Sequence, residues 1–181
     1  MRDIVIWPDP ILRVPVEPVT KFDEYLHDLI EDMFRIMKKF GGVGLSAPQV
    51  GKRLAVIVYK CDGEEGILVN PVLTPTPDAK ITEMGEGCLS FPGVYVNVKR
   101  PELFDLKWQD EDGKEEEDEF YELLAVAVQH ELDHLEGITI ADHLSHLKRD
   151  IVTRKMKKIK KKREKMIHKL RESGQLDDDE A

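Results

Sequence analysis

The chain has 181 residues, 35% of them charged, a formal net charge of −9 and two cysteines. That length suits one domain with a substantial core, and two cysteines are too few for a disulfide framework. The start, MRDIVIWPDPILR, has no leader-like pattern, and no apolar run approaches ~20 residues, so a soluble, cytoplasmic protein is expected.

In chain order, Pro8, Pro10, Pro15 and Pro18 interrupt the first nineteen residues and predict an extended arm lying on the body. Phe22, Tyr25, Leu26, Leu29, Ile30, Met33, Phe34 and Met37 trace one apolar helical stripe, capped by Thr20 or Asp23 and ended by Gly41 or Gly42. GGVGLSAPQVG, from Gly41 to Gly51, surrounds one polar amide, Gln49, with glycines that allow another backbone to approach closely. It lacks the Lys-Ser or Lys-Thr of a phosphate-binding loop. LAVIVYK and GILVN read as strands joined by a hairpin turn at CDGEE, where Cys61 has no neighbouring second ligand. VYVNV and LFDLKWQ read as further strands, the latter turning at Asp112-Gly113 into a run ending at Phe120 and Tyr121.

From Ser145 to about Ser173 a helix is predicted, with Leu147, Ile151, Met156, Ile159, Met166, Ile167 and Leu170 as a broken apolar stripe. Lys148 to Arg171 holds thirteen Lys or Arg against Asp150 and Glu164, a net of +11 that leaves −20 on the remaining residues. An acidic run, Asp177 to Glu180, follows.

QHELDHLEG, Gln129 to Gly137, carries the chemistry. His130 and His134 stand about one helical turn apart and can converge on one divalent cation. Glu131 projects ~100° further round, suited to reaching a water that the cation holds and acting as general base. The apolar ELLAVAV before it would bury this helix and strengthen the electrostatics of the site. Two histidines leave a metal short of ligands. Cys88, in EGCLSFPG, would complete a Cys/His/His set with an open fourth position, as in a catalytic site. Read alone, a cysteine there is more often a buried apolar-like residue. The fold expected is α+β, with antiparallel β-sheets packed around this central helix, an N-terminal helix and a long basic C-terminal helix. Residues 1–147 would form the catalytic part, and 148–181 a basic helix and acidic tail of the same unit.

Three blocks, GVGLSAPQ ending at Gln49, EGCLS from Glu86 to Ser90 and QHELDH from Gln129 to His134, together resemble the peptide deformylase family in its bacterial type with a C-terminal helix. The likeness extends to Asp9-Pro10 and the last helix, and so covers nearly the whole chain. It implies a hydrolase that removes the formyl group from N-formyl-methionyl peptides as they leave the ribosome, releasing formate. Cys88, His130 and His134 would hold the metal, with ferrous iron the physiological ion and zinc, nickel or cobalt able to occupy the site. Glu131 would carry the proton, and the Gln49 side-chain amide and Leu89 backbone N–H would donate to the oxyanion. By the same resemblance the substrate backbone pairs with Val43, Gly44 and Gly87 as an added strand, and Leu123, Val126 and Ala127 line a methionine pocket. Glu86 and Arg100 would brace the cysteine loop. The basic helix would meet ribosomal RNA; no membrane or DNA is called for. Two departures stand out: Tyr95, where some relatives carry a basic residue near the peptide exit, and Ser46, where Ala is common.

Two other readings compete. A zinc endopeptidase of the H-E-x-x-H-x-x-G-x-x-H pattern needs a third histidine where Ile140 stands, and His143 arrives three residues late. A non-enzymatic RNA-binding protein would explain Lys155 to Lys165 but leave the histidines, Cys88 and Gln49 as coincidence.

Overall fold

The computed structural model describes residues 3–173; the acidic run at Asp177 to Glu180 lies outside them. Helix α1, Glu24–Phe40, is capped by the Asp23 side chain, which accepts from Leu26 N, and ends at Gly41 with φ 68°. A left-handed residue there lets two amides turn back onto the last carbonyls, which glycine permits without a Cβ clash. Leu26, Leu29, Ile30, Met33, Ile36 and Met37 form its buried face. Tyr25, expected in that stripe, lies half-exposed at its edge, and Ile36 takes the place in the core.

Strands β1 (Gly44–Ser46), β2 (Val56–Cys61), β3 (Glu64–Pro75), β6 (Leu103–Gln109) and β7 (Glu115–Tyr121) form one antiparallel sheet in the order β1-β2-β3-β6-β7; β4 (Ile81–Gly87) and β5 (Tyr95–Pro101) form a separate ribbon. Strand β2 explains its unbroken apolar run. Val56 and Val58 pack with α1, while Ile57 and Tyr59 pack with helix α2, Glu122–Leu135. Both faces are covered, so the usual polar alternation has no solvent side to serve. Cys61 is the last residue of β2, buried and paired with Glu64; the turn itself is Asp62-Gly63. Strand β7 closes the far edge with EEEDEFY, burying only Phe120 outright, and charge on an edge strand discourages pairing with another chain.

Helix α2 lies between the five-stranded sheet and the ribbon, touching β1, β2 and β5. Its sheet-facing residues, Ala125, Val128 and Leu135, join Phe104, Leu106 and Phe120 in one apolar cluster. The sheets therefore pack about a central H-E-x-x-H helix, as expected.

Helix α3, His146–Glu172, buries Met156 among Trp7, Phe91 and Ile140, with Val152 and Ile159 beside it. Leu147 and Ile151, expected on the packing face, are exposed instead. Polar contacts fasten α3 to the N-terminal arm: Trp7 Nε1 donates to Thr153 Oγ1 (3.1 Å), Lys160 to Asp9 (2.8 Å), and Arg163 to the Ile4 carbonyl (2.7 Å) and to Asp3. Among the described residues no helix is long and apolar enough to cross a membrane.

Candidate metal centre

One turn of α2 presents His130 and His134 on a common side, with ring centroids 5.2 Å apart. Cys88 follows directly on β4, in the loop that leads to β5, and its Sγ lies 3.3 Å from His134 Nε2. One ligand atom from each of Cys88, His130 and His134 falls within 4.8 Å of the others. His130 and His134 are buried and Cys88 is partly exposed. A thiolate and two imidazoles converging from separate elements suit a borderline-soft divalent ion and leave a coordination position open. His143 does not join them; its Nε2 faces Asp133 Oδ2 at 3.2 Å.

Behind the histidines runs a chain of charged groups. His130 Nδ1 lies 2.8 Å from Glu86 Oε2. A carboxylate only accepts, so Nδ1 carries the hydrogen and Nε2 keeps its lone pair for a metal. Arg100 donates twice to Glu86 (2.6 and 2.9 Å) and once to Asp133 (2.9 Å). Burial pushes the Glu86 carboxyl up, but the contacts with His130 and Arg100 outweigh it and hold it at about 2. Glu86 and Arg100 thus grip His130 and α2, and through them fix the ribbon that carries Cys88.

Burial also lowers His130, yet Cys88 and Glu86 outweigh it and hold His130 well above its ordinary value. In His134 burial and the His130 charge act together and push it well below. His134 therefore stands ready as a neutral ligand.

Glu131 is buried, and its Oε2 has no hydrogen-bond partner among the described residues. Burial raises its carboxyl above the usual range, against the pull of His130 and Ser46. A Cβ on Gly44 would lie 2.9 Å from Glu131 Oε1, and one on Gly42 would lie 2.9 Å from Leu89 Cδ1. The glycine loop thus makes room for side chains of the site. Gln49, in a 3-10 turn at Ala47–Val50, points Nε2 at Cys88 Sγ (3.4 Å). Among the described residues no acceptor meets the Leu89 N–H.

A cleft of about 660 Å³ opens over these groups. Val43, Gly44, Gly87, Leu123, Val126 and Ala127 all line it, and so does Tyr95, whose ring is exposed at its rim. Strand β1 is an edge of its sheet. The Val43 carbonyl is taken by Lys60 N (2.8 Å), so by antiparallel alternation the backbone groups of Gly44 turn to the free edge.

The sequence reading missed three contributors. Asp133 and His143 extend the Arg100 network, and Ile4, Ile6, Ile159 and Arg163 add a wall of the cleft from the arm and α3. The S-x-x-Q spacing of Ser46 and Gln49 was a legible capping-box signal, and the structure shows that box formed.

The family model described as polypeptide deformylase matches residues 1–150. The peptide deformylase of Zymomonas mobilis is 46% identical over 166 residues, covering 87% of this chain and 93% of that one. The peptide deformylase of Brucella suis is 41% identical over 168 residues, covering 90% and 95%. Among solved structures, a peptide deformylase from Legionella pneumophila superposes with a TM-score of 0.83 at 42% identity, covering 90% of this chain and 97% of that one. One from Synechococcus elongatus, in complex with actinonin, gives 0.79 at 35% identity, covering 86% and 85%. With a Cys/His/His centre under an apolar cleft and likeness along most of its length, the chain belongs to the polypeptide deformylase family of metal-dependent hydrolases.

Proposed function

We propose that Cys88, His130 and His134 hold one divalent ion, ferrous iron in the cell with zinc, nickel or cobalt able to replace it. The enzyme hydrolyses the formyl amide at the N-terminal methionine of newly made proteins, releasing formate, and we place it in the cytoplasm. The observation that carries the site assignment is the convergence of one thiol and two imidazoles beside a buried carboxylate and beneath an apolar cleft. When bound, the ion polarises the formyl carbonyl and makes water more acidic.

The residues divide the remaining work. Glu131 takes the proton from the water that attacks the formyl carbon, then gives it to the departing amine. Its burial-raised carboxyl favours the holding of that proton. Gln49 Nε2 and the Leu89 N–H donate to the formyl oxygen as negative charge develops. A neutral amide does this without altering the charge at the ion. Leu123, Val126 and Ala127 take the methionine side chain. The backbone of Gly44 and of Gly87, at the end of β4, receives the peptide as an added strand, with the Val43 side chain against it.

Glu131→Gln tests the proton assignment. The ion should be retained while kcat falls by roughly 10²–10⁴. Near-normal turnover, or loss of the ion, would remove Glu131 from this role.

We further propose that residues 148–181 belong to the same unit as 1–147 and that α3 docks the enzyme on ribosomal RNA. Lys157, Lys158, Lys161, Lys162 and Lys165 are exposed, while Met156 is buried in the body. Cutting the chain after Arg149 would strip Met156 from the core, at a cost of about 1.5–3 kcal/mol for that side chain alone. Replacing the five lysines with glutamate avoids this loss. Cosedimentation with ribosomes at low salt should disappear while turnover of a short formyl-methionyl peptide persists; binding that survives the change or ignores salt would defeat the idea.

A further inference from the structure

The two ends of the Gln49 amide are nearly the same size, so something must decide which end faces the cleft. Ser46 does. Its backbone N–H (2.9 Å) and its hydroxyl (3.0 Å) both donate to Gln49 Oε1. A flipped amide would set its NH2 group against the Ser46 N–H and forfeit that bond; the hydroxyl, which can donate or accept, adds a second contact that holds the amide in place. Ser46 and Gln49 are buried, so no water stands in, and the correct orientation is the one that aims Nε2 at Cys88 Sγ.

We propose that Ser46 is a positioning residue for deformylation: its backbone N–H and its hydroxyl hold the Gln49 amide with the donor end toward the developing oxyanion. This rests on the reading that Gln49 donates to the oxyanion.

The test is a double-mutant cycle with Ser46→Ala, Gln49→Ala and the pair, measured on the iron-loaded enzyme with metal content and melting temperature recorded. Ser46→Ala removes only the hydroxyl and leaves the backbone N–H in place, and the melting temperature reports whether the fold is kept. Ser46→Ala should lower kcat about fivefold, the share of one neutral hydrogen bond, with KM and metal content unchanged. In the Gln49→Ala background it should lower kcat no further. A rise in KM at constant kcat, or the same fivefold loss without Gln49, would overturn the proposal. Full kcat in Gln49→Ala would overturn the reading of Gln49 and the proposal with it, whereas loss in Gln49→Ala with none in Ser46→Ala would overturn the proposal alone.

Discussion

Arg100→Met probes the charged chain behind the metal centre at its middle link. Methionine keeps the apolar stem but removes the guanidinium, and with it three hydrogen bonds, at 2.6, 2.9 and 2.9 Å, to Glu86 and Asp133. Arg100 and Glu86 side chains are both 6% exposed, so water cannot replace the lost partner. Breaking a buried pair in this way costs roughly 3–5 kcal/mol, most of it the penalty of a carboxylate left without its cation. At about 2–4 °C per kcal/mol for a domain of this size, the melting temperature should fall by roughly 6–20 °C. Glu86 would also hold His130 less firmly, and loss of such an outer partner weakens metal binding by about 10–100-fold. Thermal unfolding and competition with a chelator measure the two effects. Adding Glu86→Gln should recover part of the stability, because no unpaired charge then remains. A melting temperature within about 2 °C of wild type, together with unchanged metal affinity, would refute the account.

Cys88→Ala should sharply weaken metal binding, while Cys61→Ala, at the buried end of β2, should leave metal content and activity near normal; equal losses in the two variants would break the ligand assignment. Acid stability should report Glu86. Its carboxyl is lowered from 4.5 to about 2 in the folded chain, so its contribution is complete above pH 4.5 and is lost as pH falls from there toward 2. The melting-temperature difference between wild type and Glu86→Gln should shrink over that window, and a difference independent of pH would show that Glu86 does not titrate as described.

The metal centre was legible because its signal is short-range: one helix turn holds two histidines and a glutamate, and a lone cysteine completes the set. Of the network behind it only the Glu86–Arg100 pair was expected, from the family resemblance; Asp133 and His143 come from other elements, and Asp133 meets Arg100 and His143 only in space. Strand β4 was missed for a related reason. ITEMGEG puts Thr82, Met84 and Glu86 on its inner side, and Glu86 is buried there for its partners and not for hydrophobicity. On α3 the apolar residues misled. Leu147 and Ile151 are conspicuous in sequence, yet the docked face follows Val152, Met156, Ile159 and Arg163, where two apolar neighbours and an arginine flank the fully buried Met156.

The seam between α3 and the N-terminal arm joins residues far apart in the chain. Its bonds span 146, 151 and 159 positions of sequence, and contacts of such long separation form late in folding. Synthesis runs from the N-terminus, so residues 3–9 wait for about 150 further residues before Thr153, Lys160 and Arg163 exist to meet them. Only then do Ile159 and Arg163 join Ile4 and Ile6 to complete their wall of the cleft. An enzyme that works on nascent chains thus has a wall of its own cleft that is completed only when α3 has left the ribosome.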